Sequence, residues 1–299
     1  MRIKKMIIPK HIQIETINGV CTSRCIMCTF STWTRKRNVM HNDTYREILQ
    51  KFAIHREHIQ LLTLHGYGEP LLDREIPEKI RIAKEMGFKG TGLATNCTEL
   101  NEHKSFELIK AGLDTIICSI DGINKETHEA IRVGTNFEEI VSNVKTFIKI
   151  RNESGKTRVM VRFIRQEINK KEWPLFFDYW SKQLNKDFGD SVVKFDIHNR
   201  AGKLQDYQSK DPNRNMDLDN YVCESVFERM LIYSNGQVAF CDADDNGFFN
   251  LGNAVNSDPI KIYNNKIFNH YRKMMKEGKL LKLTHCNNCT IPRSRFLKE

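Results

Sequence analysis

Nine cysteines are the residues best able to do chemistry in this sequence, and seven of them fall into two sets. Cys21, Cys25 and Cys28 stand as C-x3-C-x2-C. Three thiolates this close can hold three corners of a four-iron, four-sulfur cluster and leave the fourth iron open to an outside ligand. A zinc loop is the alternative, and zinc would want a fourth protein ligand, for which His41 is the close candidate. Cys223, Cys241, Cys286 and Cys289 form the second set, closed by a C-x2-C pair. Four thiolates complete a cluster with no open iron, or staple the C-terminal segment around a structural zinc. Cys97 and Cys118 remain. An enzyme that epimerises a carbon needs a hydrogen donor, often a thiol. Strand alternation points Cys118 outward as a small core residue, whereas Cys97 lies in a turn and could swing inward.

These residues need a frame. Short β-branched runs alternate with amphipathic stretches, with strands expected over 12–17, 59–65, 90–96, 114–120, 158–164 and 192–197. Helical spacing fills 43–55, 74–86, 100–111, 136–151 and 171–183. Strands alternating with helices mean an α/β fold with a parallel sheet and helices on its outer face. Six such units in about 200 residues suit a partial (β/α)6 barrel better than a closed eightfold one. The first cysteine set lies in the loop after the first strand. The polar stretch 199–220 reads as a linker or long surface loop. It divides a barrel domain, 1–198, from a linker and small C-terminal iron–sulfur domain, 199–299. That second part has a hairpin signal at Ser234-Asn235-Gly236 and a basic helix over 260–277.

Strand parity assigns a polar lining to the barrel, because the apolar faces should cover the helix layer. Gln13 and Glu15 oppose Ile12 and Ile14; Thr63 and His65 oppose Leu62 and Leu64; Arg162 opposes Val161 and Phe163. Lys194, Asp196 and His198 oppose Val193, Phe195 and Ile197. Glu15, His65, Tyr67, Cys97, Arg162, Lys194 and Asp196 are therefore the candidates for the substrate cavity. Such a lining suits a hydroxyl-rich or anionic substrate better than an apolar one. Asp242, Asp244 and Asp245, after Cys241, could approach this cavity but read first as a solvated turn.

Cys21-Thr-Ser-Arg-Cys25-Ile-Met-Cys28 resembles the signature of radical S-adenosylmethionine enzymes, and the resemblance extends over essentially the whole chain. It implies an open iron that binds the amino and carboxylate groups of S-adenosylmethionine, and a 5′-deoxyadenosyl radical that abstracts a substrate hydrogen. Gly66-Tyr-Gly-Glu-Pro70 is similar to the family's Gly-Gly-Glu motif, with Tyr67 replacing the first Gly, so Gly68 and Glu69 would hold the methionine amino group. Thr95-Asn96-Cys97 is similar to the Thr-Asn-Gly turn that places Asn96 near the ribose. Ser119-Ile-Asp-Gly122 with His128 and Arg132 is similar to the fourth-strand segment, where Ser119 and Arg132 would meet the cofactor carboxylate. Met27 sits where the family packs an apolar side chain on the adenine. The second cysteine set resembles the SPASM extension cut short, in the one-cluster version called twitch, an arrangement also found in the family's 2-deoxy-scyllo-inosamine dehydrogenase. The resemblance implies two 4Fe-4S clusters, S-adenosylmethionine and a flavodoxin- or ferredoxin-type electron donor.

Composition bounds the rest. With 299 residues, 40% hydrophobic and 28% charged, the chain can bury a core, which excludes wholesale disorder. It has no run of 18 apolar residues, and Lys4 and Lys5 lead into no signal-peptide core, so no membrane partner is expected and a cytoplasmic place is. The net charge of +10 is spread along the chain and reads as a solubilising surface. A zinc-stapled nucleic-acid-binding protein is the alternative from another class, but no basic stripe interleaved with aromatics supports it. The auxiliary cluster points to an electron sink, hence to oxidation of a polar small molecule such as a sugar, cyclitol or nucleoside. The first 20 residues leave no room for a leader-peptide-binding domain, which places maturation or epimerisation of a ribosomal peptide second.

Overall fold

The computed structural model describes residues 6–204 and 221–290; most of the stretch read as a linker, 205–220, lies outside them. The chain opens with His11–Ile14 (β1), Ile17–Asn18 (β2), Arg24–Cys25 (β3) and Asn38–Val39 (β4). It then alternates through Asn42–Phe52 (α1), Leu61–Thr63 (β5), Ile76–Glu85 (α2), Thr91–Thr95 (β6), Glu102–Lys110 (α3) and Thr115–Ser119 (β7). Lys125–Ile131 (α4), Arg132–Val133 (β8), Phe137–Ser154 (α5), Arg158–Arg165 (β9), Trp173–Ser181 (α6) and Ser191–Asp196 (β10) follow. Side-chain caps mark where several helices start: Asn101, Asn124 and Asn136 each accept a hydrogen bond from the backbone N–H three residues on, at α3, α4 and α5. Helix α4 was not expected, because its seven residues, about two turns, carry little periodicity.

The C-terminal segment contributes Ser225–Glu228 (α7), Arg229–Ile232 (β11) and Val238–Ala239 (β12), then Pro259–Tyr263 (α8) and Lys266–Lys276 (α9). The expected single helix over 260–277 is thus two. Asn264 Nδ2 donates back to the Ile260 carbonyl and across to Ile7, and Asn265 caps the new start at Phe268 N. The hairpin expected at 234–236 is present, with Gly236 in the left-handed region at φ +82°.

One eight-stranded sheet runs β10-β9-β7-β6-β5-β1-β11-β12, and every neighbouring pair is parallel except β11–β12. Six strands are those expected from the sequence. The other two come from beyond residue 198: β11 lies parallel to β1, with Arg229 opposite His11 and Leu231 opposite Gln13. No pairing joins β10 to β12 among the described residues, so the sheet is an open, partial barrel. Its outer face packs on the helices through Ile12, Ile14, Leu62, Leu93, Ile116, Val161 and Phe163 against Leu49, Phe52, Ile80, Leu108, Phe147 and Phe176, all buried. The core therefore lies outside the sheet and leaves the inner face to polar side chains. Among the described residues no helix is long and apolar enough to cross a membrane.

Candidate active site

A cavity of about 310 Å³ opens on the inner face of the sheet, lined by residues that end or follow β5, β6 and β7 and by the first cysteine loop. The thiols of Cys21, Cys25 and Cys28 line it together. Short pairings pin their loop: β2 with β4 at its base, and Cys25 opposite Arg132 where β3 meets β8. Glu69 N donates to the Val20 carbonyl at 3.0 Å, and a Cβ on Gly68 would lie only 2.8 Å from that same oxygen, so the loop seats against bare backbone. Asn96 Nδ2 donates to Thr22 Oγ1 at 2.9 Å and reaches Cys21 Sγ at 3.7 Å. Ser23 Oγ lies 3.4 Å from Cys21 Sγ and 3.3 Å from Cys25 Sγ. Burial pushes the Cys21 and Cys28 thiols up, a cost that a thiolate-binding cluster offsets. His41, the conceivable fourth zinc ligand, is exposed at the start of α1 and does not line the cavity.

Glu69 is the buried carboxyl of the site. It accepts from Thr95 Oγ1 at 2.6 Å, Asn96 N at 2.8 Å and Leu71 N at 3.1 Å. Burial nevertheless outweighs those three donors and raises it to about 7. Arg132 forms a 2.7 Å ion pair with Asp121 and donates toward Cys25 Sγ at 3.6 Å. Arg162 Nη2 donates to Ser119 Oγ at 2.7 Å, and burial together with neighbouring Arg132 lowers its guanidinium to about 10. His65 and His198 line the same cavity, and burial with nearby arginines lowers each to about 3, so both are neutral near pH 7.

Cys223, Cys241, Cys286 and Cys289 line a second, small cavity walled by Val226, Phe240, Met275 and Leu280. Burial, then the proximity of Cys289 and Cys223, pushes the thiols of Cys241 and Cys286 up. His285 Nε2 lies 3.5 Å from Cys241 Sγ. Among the described residues no three His, Cys, Asp or Glu side chains converge as a single ion needs. In a cluster each thiolate sits on a different iron. Both donor sets are all-thiolate, as iron–sulfur clusters need, and the second is walled by apolar side chains. The two cavities meet along the chain: Cys241 faces the small one, and the next residue, Asp242, lines the large one. Tyr67 OH donates to the Asp242 carbonyl at 2.6 Å, joining the end of β5 to the C-terminal segment.

The structure brings Met27, Gly68, Glu69, Asn96, Ser119, Arg132, His65, Tyr67 and Arg162 to the large cavity. Other expectations are corrected. Glu15 does not line the cavity; it is fully buried beneath it, accepting from both Nη atoms of Arg35 at 2.7 Å and from Tyr67 N and Ser234 N. A Cβ on Gly66 would come within 2.6 Å of Glu15 Cβ, which explains the glycine there. Lys194 and Asp196 face the other way. Lys194 is in register with Phe163, a helix-facing residue, and its ammonium stands 4.8 Å from the Trp173 ring of α6; Asp196 pairs with Arg165 at 2.6 Å. On this edge strand the apolar Phe195 is exposed, so the rule that apolar means outward inverted the parity. Cys97, left-handed at φ +66°, turns its thiol into the core beside Cys118, away from the cavity. Asp242, Asp244 and Asp245 do not form a solvated turn: Asp242 pairs with Arg229, Asp245 with Lys203, and Asp244 accepts from Phe240 N and Phe248 N.

Sequence reasoning missed Arg200 and Arg229, both on the cavity wall. Arg229 precedes three buried apolar residues, Met230, Leu231 and Ile232, so no alternation marked it. Arg200 sits in a turn with no periodicity to read.

Comparison with known proteins agrees with this geometry. A family model described as the Radical SAM superfamily matches residues 16–164, and one described as an iron–sulfur cluster-binding domain, SPASM, matches 223–290. A probable GTP 3′,8-cyclase of Methanococcus maripaludis is 32% identical over 115 residues, covering 38% of this chain and 37% of its own. The chain spans less than half the length of the curated relatives it matches. Among solved structures, BtrN in complex with AdoMet and 2-DOIA shares the fold with a TM-score of 0.63 at 20% identity, covering 95% of this chain and 94% of that one. Streptococcus suis SuiB bound to its precursor peptide SuiA gives a TM-score of 0.69 at 15% identity, covering 96% and 70%.

Proposed function

Because this chain belongs to the radical SAM superfamily and carries a SPASM cluster-binding domain, we propose that it oxidises a polar small molecule, a sugar, cyclitol or nucleoside-like compound. When bound, S-adenosylmethionine and a reduced four-iron cluster supply a radical that takes a substrate hydrogen atom, and the auxiliary cluster supplies an acceptor for the electron left behind. The protein's part is to hold and to exclude. Cys21, Cys25 and Cys28 ligate the first cluster; Cys223, Cys241, Cys286 and Cys289 ligate the second. Glu69, with Gly68 beside it, takes the methionine ammonium, Asn96 the ribose, Ser119 and Arg132 the carboxylate, and Met27 the adenine. A flavodoxin- or ferredoxin-type protein delivers the electron. We place the protein in the cytoplasm, where a reducing environment keeps thiols available to ligate clusters.

The observation that carries this reading is the adjacency of Cys241 and Asp242. One faces the four-thiol cavity and the other the three-thiol cavity, so an electron leaving the substrate has a short protein path to the second cluster. The test is 5′-deoxyadenosine release by anaerobically reconstituted protein with S-adenosylmethionine and dithionite, screened against polyols, amino sugars, nucleosides and peptides. Release dependent on a small molecule, with a two-electron-oxidised product, supports the proposal. Release dependent on peptides alone, or a redox-neutral product, overturns it. Peptide modification is the competing reading, since SuiB is described with a bound precursor peptide.

A further inference from the structure

Four guanidinium groups line the large cavity, from Arg132, Arg162, Arg200 and Arg229. Two have carboxylate partners: Arg132 with Asp121 at 2.7 Å, and Arg229 with Asp242. Arg162 and Arg200 have none among the described residues. Arg162 donates to the neutral Ser119 hydroxyl, and its Nε, buried, has no partner at all. Among the described residues the Arg200 guanidinium donates only to a backbone carbonyl, that of Asp242, at 3.1 Å. Burial first, then the positive fields of Arg132 and Arg200, weaken the hold of Arg162 on its proton against the opposing pull of the Asp121 carboxylate. Two like charges brought together out of water are costly unless an anion lies between them. The backbone is also strained to place one of them. Arg200 and Ala201 take φ of +52° and +55°, left-handed values that non-glycine residues adopt at a cost of about 1 kcal/mol or more each. His65 and His198 add neutral imidazoles to the same wall, and His65 Nδ1 is buried without a partner. S-adenosylmethionine does not cancel this charge, because its carboxylate comes with an ammonium and a sulfonium, whereas the cluster thiolates answer part of it, Cys28 lying in the field of Arg200 and Cys25 in that of Arg162.

We propose that the substrate carries an anionic group, a phosphate monoester or a carboxylate, and that Arg200 and Arg162 hold it in this cavity. The inference rests on the radical SAM reading and deepens it, from a polar substrate to an anionic one. The test uses holoenzyme with both clusters, saturated with S-adenosylmethionine and without reductant. Orthophosphate, and separately acetate, are titrated at constant ionic strength and followed by calorimetry. Saturable binding of one anion in the presence of cofactor is expected. The tighter of the two tells a phosphate substrate from a carboxylate one. Arg200→Gln should weaken it about tenfold or more, as loss of a charge-assisted bond would. Arg200→Lys should retain more affinity than Arg200→Gln.

Three results would overturn the proposal: no saturable binding of either anion, displacement of the anion by S-adenosylmethionine, or equal affinity in wild type and Arg200→Gln. Equal loss in the Gln and Lys variants would also count against a specific role for Arg200. Release of 5′-deoxyadenosine by wild-type holoenzyme is measured in parallel. Anion binding without release refutes the enzyme reading alone, and release without anion binding refutes this inference alone.

Discussion

Burial raises Glu69 to about 7 in spite of its three donors, so if it takes the methionine ammonium as proposed, cofactor binding should depend on pH. An ammonium is bound well by a carboxylate and poorly by a carboxylic acid. Affinity for S-adenosylmethionine should therefore fall about tenfold per unit as pH drops below 7, one proton being linked to release. Glu69→Gln should bind weakly and show a flat profile over the same range. A profile that stays steep in the variant would assign the titration to another group. The sign for stability is opposite. Because burial raises this acid from 4.5 to about 7, the cofactor-free protein is favoured below 4.5, and that contribution is lost as pH rises to 7. The cysteines give a second prediction at this scale. Replacing Cys21, Cys25 and Cys28 by Ala should abolish 5′-deoxyadenosine formation and leave about four irons per chain at the second site. Retained cleavage in that protein would refute the assignment.

At the scale of elements, the β1, β4 and β11 regions and the glycine motif are joined through one buried ion pair. Glu15 follows β1, Arg35 precedes β4, and Glu15 also accepts from Tyr67 N beyond β5 and from Ser234 N at the hairpin. The Arg35 guanidinium further lies 3.9 Å from the Tyr233 ring centroid. Removing one partner strands a buried charge, so Arg35→Ala should cost about 3–5 kcal/mol in denaturant unfolding. Adding Glu15→Gln should recover part of that loss. A cost under about 1 kcal/mol would show an ordinary surface pair instead. The motif glycines matter for close approach. Gly68→Ala would put its Cβ 2.8 Å from the Val20 carbonyl, backbone that cannot swing aside. The substitution should lower stability by about 1–3 kcal/mol and weaken cofactor binding, since it shifts the cysteine loop. Normal thermal stability with normal cofactor affinity would contradict that seating.

For the whole molecule, the decisive arrangement is the return of the C-terminal segment onto the sheet. Strand β11 lies against β1, Tyr67 reaches Asp242, and Asn199 is bound on both sides by Asn288 O and Thr290, which ties the end of the barrel to the second cysteine pair. If the auxiliary cluster serves turnover, Cys286→Ala with Cys289→Ala should still cleave S-adenosylmethionine in the absence of product. It should fail to oxidise substrate, and its iron should fall from about eight to about four per chain. Full turnover by the folded double variant would remove the electron-acceptor role.

The first cysteine set, the Cys286–Cys289 pair, the motifs at the ends of β5, β6 and β7, and the alternation of strands with helices were legible in the sequence because each depends on local spacing. Thiolates three or four residues apart must share a loop, and an apolar face of period two must find a helix layer. What the fold alone decided was everything that depends on register between distant strands. Lys194 and Asp196 turned outward because β10 is an edge strand whose facing is fixed by pairing with β9, not by its own apolar pattern. Glu15 left the cavity because Arg35, twenty residues away, met it in a buried pair. Arg200 and Arg229 entered the cavity because a left-handed turn and a strand from beyond residue 198 close on β1, and no spacing within either segment encodes that meeting. The chemistry of this protein is written in short-range spacing, whereas the charge of its substrate cavity is set by long-range contacts that only the folded chain makes.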